Sequence, residues 1–269
     1  MRNLSLAHLT LPGCSPIELI DAAAEAGFDH VGMRIVAPPA DTRTRSVLND
    51  ARMRANIIRR LADTQVKVLD VEAFWLSPAF ELASAERAFA FGAEMGARYA
   101  VVAGNDPDRI RFLEHLDALC ELAQQYGIQV SLEFIPYTEV RTIHDAWYCL
   151  AAIKRPNAGL LVDALHLSRS GGSPADVAAL PPELVHYLHL CDAPAANPPT
   201  VDLLRDEARS NRLYPGQGAL PLCALVAAAP ANIPIAIEAP HAGLSARPWA
   251  EQARRVRTAT LDLLNGLTA

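Results

Sequence analysis

Four apolar runs in this chain end on, or close to, a residue that can bind a metal or carry a proton. Val130-Ser131-Leu132 ends on Glu133, Leu160-Leu161-Val162 on Asp163, and Ile235-Ala236-Ile237 on Glu238; in His186-Tyr187-Leu188-His189-Leu190-Cys191-Asp192 the residue is His189. A fifth run, from Val66, closes on Glu72. A carboxylate at the mouth of an apolar strand is costly unless something cationic meets it. Carboxylates converging without a cation would repel each other, and some would take up protons. A bound divalent ion removes that repulsion. Two Glu, one Asp and one His are ligands of oxygen and imidazole type, suited to Mn²⁺, Mg²⁺ or Co²⁺; Zn²⁺ also fits. The competing reading is a set of ordinary salt bridges to Arg34, Arg209 and Arg212. For Asp163 taken alone, capping of the next turn is a sufficient role.

These residues need a scaffold that brings strand ends together. Strands are expected over Ser5–Leu11, His30–Val36, Val66–Glu72, Tyr99–Ala103, Gln129–Phe134, Gly159–Asp163, Val185–Leu190 and Pro234–Glu238. Helices fall between them. The first opens on the capping box Ser15-Pro16-Ile17-Glu18 and closes at Gly27. Others are expected over Asn49–Thr64, Ser84–Gly96 and Pro107–Gly127, and from Thr142 to before Pro156. A short helix is capped by Ser173-Pro174-Ala175-Asp176, and two more run over Leu220–Ala229 and Pro248–Leu264, with Gly266 just past the end. Ala37–Ser46 reads as a polar loop, and a long loop joins Leu190 to Gly218. Eight alternations over 269 residues, with no linker or low-complexity segment, predict one domain, a (β/α)₈ TIM barrel spanning 1–269. An open doubly wound sheet usually shows a glycine-rich first turn, and Leu11-Pro12-Gly13-Cys14 is not one. In a barrel the C-terminal strand ends form one rim, where chemistry sits.

The formal net charge is -6 and there is no Lys/Arg run, which argues against a nucleic-acid or acidic-membrane surface. The five cysteines are scattered, without a Cys-x-x-Cys pair, and read as reduced, mostly structural thiols of a cytoplasmic protein. Residues 1–14 lack a cleavage site and read as a first strand rather than a signal peptide. No apolar run approaches the length of a membrane span. A homo-oligomer is compatible with all of this.

Taken in order, Glu133, Asp163-Ala164-Leu165-His166, His189-Leu190-Cys191-Asp192 and Glu238 resemble the motif set of the xylose isomerase-like barrel superfamily, which includes sugar phosphate isomerases/epimerases and endonuclease IV-type enzymes. The resemblance runs from His8 to the last helix. It implies that Glu133, Asp163, His189 and Glu238 are metal ligands. His166 matches the histidine of the family's Asp-x-x-His motif, which contacts substrate in ketose epimerases; its alternative role is a solvated turn residue. Glu207–Gly218 is similar to the family's Arg…Pro-Gly-Glu-Gly loop, with Gln217 where Glu is common. Arg209 or Arg212 could there hold a substrate oxygen or carboxylate through a planar fork, the alternative being a surface arginine. Phe74 and Trp75 either wall one side of the pocket or pack against the loop from strand three.

The expected chemistry is proton transfer on a polyhydroxy carbonyl compound through an enediolate. Glu133 and Glu238, on nearly opposite sides of the rim, would remove and return the proton, giving an isomerase or epimerase of a keto sugar or related polyol. Loss of a β-hydroxyl after the same abstraction gives a dehydratase of inosose or 3-dehydroshikimate type. In that case His166 is the acid, and Arg34, Arg209 and Arg212 meet a substrate carboxylate. Glu72 and Trp75 complete the expected substrate contacts. A non-catalytic sugar-binding barrel is the remaining alternative. A nuclease is disfavoured: strand four ends in Gly104-Asn105-Asp106 without a histidine, and no Asp-x-His pair follows His189. No phosphate cradle follows strands seven and eight, so an unphosphorylated small molecule is the expected substrate.

Overall fold

Parallel strands inside a barrel are covered on both faces, and the near-continuous apolar runs of this sequence meet that demand. In the computed structural model, which describes residues 2–36 and 47–267, eight parallel strands close on themselves in chain order. They are β1 (Leu4–Ala7), β2 (His30–Arg34), β3 (Lys67–Leu76), β4 (Tyr99–Gly104), β5 (Gln129–Glu133), β6 (Ala158–Asp163), β7 (Val185–Leu190) and β8 (Ile235–Ile237). Closure is made by β1, which pairs with β2 on one side and β8 on the other. The helices are α1 (Pro16–Ala26), α2 (Ala51–Thr64), α3 (Leu82–Glu94), α4 (Arg109–Gln125), α5 (Ile143–Ile153), α6 (Ala164–Arg169), α7 (Pro174–Ala178), α8 (Val201–Ser210), α9 (Leu222–Ala228) and α10 (Trp249–Gly266).

Strand alternation sorts the side chains into two cores. Leu160, Val162, Leu188, Leu190, Ile235 and Ile237 point outward into the main core. Leu69, Tyr99, Val101, Leu161, Tyr187 and Ala236 form a second cluster. Asp163, His189 and Glu238 each stand two residues after a member of that second cluster, so they share its face, the inside of the barrel.

Local signals in the sequence act as expected at α1, where Ser15 and Glu18 form a capping box and Gly27 closes the helix at φ 81°. Elsewhere the structure corrects the expectation. The first strand stops at Ala7, because from His8 the chain turns into a 3₁₀ helix. Thr10 then ties itself to β8 by its side chain: Oγ1 donates to the Ile237 carbonyl at 2.7 Å and accepts from the Ala239 amide at 3.0 Å. β3 continues past Glu72 to Leu76, so Phe74 and Trp75 are strand residues. The stretch expected as one long loop after β7 contains α8, capped by Thr200, whose hydroxyl accepts from the Leu203 amide. α10 takes in Gly266. The expected polar loop Ala37–Ser46 lies outside the described residues. Among those described, no helix is long and apolar enough to cross a membrane.

Candidate metal centre

Each expected ligand is delivered by the end of a different strand. Glu133 is the last residue of β5 and Asp163 the last of β6. His189 pairs with Asp163 across the β6–β7 register. Glu238 follows β8 directly, its amide donating to the Leu190 carbonyl at 3.1 Å. Asp163 also caps α6, with Oδ1 accepting from the His166 amide at 2.9 Å. All four side chains are buried, and one ligand atom from each lies within 4.8 Å of the others.

His189 Nδ1 stands 3.6 Å from Glu238 Oε2, 3.8 Å from Asp163 Oδ2 and 3.9 Å from Glu133 Oε1. These separations are too long for hydrogen bonds. Glu133 Oε1 and both ring nitrogens of His189 are buried with no hydrogen-bond partner. Orphaned buried polar atoms of this kind call for a missing partner. A divalent ion among the four would supply it, and the donor set suits Mn²⁺, Mg²⁺, Co²⁺ or Zn²⁺.

The electrostatics divide the carboxylates unequally. Burial pushes the Glu133 carboxyl well above its usual range, reinforced by the charge of Glu238. Burial would do the same to Glu238 and Asp163, but Arg212 outweighs it, helped by His189 at Glu238 and by His166 at Asp163, and both acids are held below their usual values. Burial alone would lower the His189 pKa; the surrounding Glu238, Glu133 and Asp163 overcome it and push the imidazole up to about 10. His166 goes the other way, pushed down to about 4 chiefly by burial, so it is neutral at physiological pH.

Of the remaining sequence candidates, some meet the centre and others do not. His166 is 3% exposed, not a solvated turn residue. Its Nε2 is 4.0 Å from Glu133 Oε1, and the Tyr137 ring meets it edge-on at 5.9 Å. Glu72 is buried, and its Oε2 accepts from Arg34 Nε at 3.0 Å while Oε1 has no hydrogen-bond partner. Phe74 packs outward on Phe89 at 4.9 Å. Trp75 takes the opposite side of β3, in register through Ala103 with Glu133; it is half-buried, and its indole N–H lacks a partner. Arg209 is exposed on α8 and is not brought to the ligands, although its charge is felt at Tyr137. Arg212 is buried among the ligands instead: Nη1 lies 2.6 Å from Asp163 Oδ2 and Nη2 lies 2.9 Å from Glu238 Oε2. Gln217 is exposed. The turn around it is held by Asp192, which accepts from the Gly216 amide at 3.0 Å and the Leu220 amide at 2.9 Å.

Sequence reasoning passed over Asp70. It is 1% exposed on β3, neither carboxylate oxygen has a hydrogen-bond partner, and burial pushes its pKa well up. The signal that could have found it is Gly32, whose missing side chain leaves the space: a Cβ there would stand 2.8 Å from both Asp70 oxygens. Tyr137 was also missed; its sequence context, a turn after β5, carries no periodic signal.

The chain belongs to the xylose isomerase-like TIM barrel family, whose model matches residues 20–259. The 3-dehydroshikimate dehydratase of Pseudomonas aeruginosa is 27% identical over 263 residues, taking in 91% of this chain and 39% of that protein. The inosose isomerase of Bacillus licheniformis is 31% identical over 112 residues, 41% of this chain and 38% of that protein. The chain thus spans about two fifths of the length of these curated relatives. Among solved structures, the IOLI protein with a bound zinc atom matches at TM-score 0.81 and 18% identity, over 99% of both chains. The probable 3-DHS dehydratase AsbF of Bacillus anthracis matches at TM-score 0.73 and 14% identity, over 98% of this chain and 99% of that one. At these identities the structural likeness speaks for the fold.

Proposed function

We propose that this chain is a divalent-metal-dependent enzyme that moves a proton on a small, unphosphorylated polyhydroxy carbonyl compound, isomerising or epimerising a keto sugar or related polyol through its enediolate. The observation that carries this reading is the inequality of the carboxylates. Arg212 pins Asp163 and Glu238, whereas Glu133 keeps a buried, unpartnered oxygen beside the neutral imidazole of His166. When bound, the ion would polarise adjacent carbonyl and hydroxyl oxygens and stabilise charge as it develops on them. Glu133 is the base that takes the proton from carbon. His166, 4.0 Å away and neutral, can accept or donate a proton and relays it between Glu133 and a substrate oxygen. Glu238, on the far side of the rim three strands on, is kept a weak base by Arg212, so it serves first as a ligand. In an isomerisation Glu133 returns its proton to the neighbouring carbon, and in an epimerisation Glu238 delivers to the opposite face a proton taken up from solvent. The Glu72–Arg34 pair and the Trp75 indole N–H stand on the β2–β3 side, where they meet substrate hydroxyls.

Dehydration is the second reading, and one observation favours it. The dehydratase relative aligns over 91% of this chain, against 41% for the inosose isomerase. His166 would then hand its proton to the departing β-hydroxyl. Arg212 is turned inward and Arg209 lies outside the centre, which leaves Arg34 to meet a substrate carboxylate.

Proton NMR in D₂O with the Mg²⁺-loaded protein separates the two. Ketoses, inososes and 3-dehydroshikimate form the substrate panel. Solvent deuterium entering a ketose or inosose without loss of water supports the isomerase or epimerase reading. A new olefinic resonance supports dehydration. A metal-loaded protein that produces neither across the panel contradicts both.

A further inference from the structure

Arg212 is 2% exposed and heads the fully buried side chains by size. Every nitrogen of its guanidinium is engaged inside the protein. Nε donates to the Ala208 carbonyl at 2.8 Å; Nη1 donates to Asp163 Oδ2 at 2.6 Å and to the Glu238 carbonyl at 3.1 Å, with Cys191 Sγ at 3.5 Å. Nη2 lies 2.9 Å from Glu238 Oε2. The oxygens it holds, Asp163 Oδ2 and Glu238 Oε2, are the same two that face His189 Nδ1.

We propose that Arg212 sets the fixed charge of the centre at minus two, so that a divalent ion leaves it neutral, and holds Asp163 and Glu238 in their ligating orientations. The inference rests on the metal-dependent reading above. In the ion-bound centre, with Glu133 ionised and His189 neutral, three carboxylates (Glu133, Asp163, Glu238) and one guanidinium give -3 + 1 = -2. A guanidinium does not lose its proton in a protein, so its own share of this count is the same at every pH. The neighbouring Glu72 does not disturb the count, since it is met by Arg34. A trivalent ion would leave a buried positive charge and a monovalent ion a buried negative one, and both are costly away from water. The planar fork matters as well as the charge, since a lysine ammonium is a single point and cannot bridge two carboxylates and two carbonyls. Arg212 is therefore a positioning residue, acting on substrate only through the ligands.

The test measures affinities for Mn²⁺ and Tb³⁺ separately, by electron paramagnetic resonance of free Mn²⁺ and by Tb³⁺ luminescence, on the full chain. R212M leaves the centre at minus three; its Tb³⁺-to-Mn²⁺ affinity ratio is expected to rise at least ~10-fold over wild type, since the lost cation repelled the more highly charged ion more strongly. R212K keeps the charge and loses the fork, so it should bind both ions more weakly at a ratio near wild type. R212M/E238Q returns the charge to minus two and removes the uncompensated carboxylate, so it should fold even where R212M does not, with the ratio restored. A folded R212M with the wild-type ratio overturns the proposal, as does an R212K or R212M/E238Q ratio shifted as far as that expected of R212M. A wild-type protein that binds no Mn²⁺ fails one step earlier, at the metal-dependent reading itself.

Discussion

Titrating the metal-free protein with Mn²⁺ should release protons, and the ligand geometry says which ones. His189 presents Nδ1 to the three carboxylates, and its pKa is pushed up to about 10 by them. At neutral pH it is therefore an imidazolium and must shed a proton to ligate. Stripping that proton at pH ~7.5, below the pKa, costs on the order of a few kcal/mol. Glu133, raised by burial, contributes a second proton toward the acid end. Asp163 and Glu238 contribute none, because Arg212 already keeps them ionised. Protons compete with the ion, so affinity rises with pH. The expected gain is at least ~10-fold per pH unit below about pH 9 from His189 alone, and steeper wherever Glu133 is also protonated. Isothermal titration in two buffers of different ionisation enthalpy counts the protons directly. One ion bound per chain with no proton release, and an affinity flat across that range, would refute His189 and Glu133 as the ligands.

Three further perturbations follow from particular contacts. Glu133→Gln at saturating metal should lower turnover by at least ~10²-fold, the usual scale for a general base, and near wild-type turnover would remove Glu133 from that role. Glu207→Gln strands Arg169, which is 7% exposed and forked onto Glu207 at 2.7 and 2.8 Å, so urea unfolding should show a loss of ~3–5 kcal/mol; a loss below ~1 kcal/mol would mean the pair does little. Gly32→Ala should cost ~1–3 kcal/mol by crowding the Asp70 carboxyl, and much of that should return in the Asp70→Ala background. Equal penalties in the two backgrounds would show that the clash lies elsewhere.

The barrel and the convergence of four candidate ligands at its rim were legible because both depend on local pattern. Buried parallel strands need unbroken apolar runs, and a polar residue that ends such a run stands out. β7 was placed to the residue, and α1 was marked at both ends by its capping box and Gly27. What could not be read depends on distant contacts. Ser5–Leu11 looks like one strand, yet Thr10 exchanges the ladder for side-chain bonds to β8, more than two hundred residues away in sequence. α8 was hidden by the proline-rich approach from Pro194 to Pro199, although Thr200 offered its cap. Arg209 and Arg212 were equivalent as letters in one loop. Only the end of α8 and the two bridges beyond it, Asn211 to His241 and Asp192 to Leu213, turn Arg212 inward and leave Arg209 outside. Asp70 was legible only through the space left by Gly32 on the neighbouring strand, which no single-strand pattern contains.

The central claim is that Glu133, Asp163, His189 and Glu238 together hold one divalent ion. A crystal of the Mn²⁺-loaded protein, measured on both sides of the manganese absorption edge, tests it most directly. The expected result is a single anomalous peak per chain, coordinated by the three carboxylates and by His189 through Nδ1, with Arg212 still in contact with Asp163 and Glu238. No peak among these four side chains in a crystal grown at saturating Mn²⁺, or a peak bound elsewhere, would contradict it.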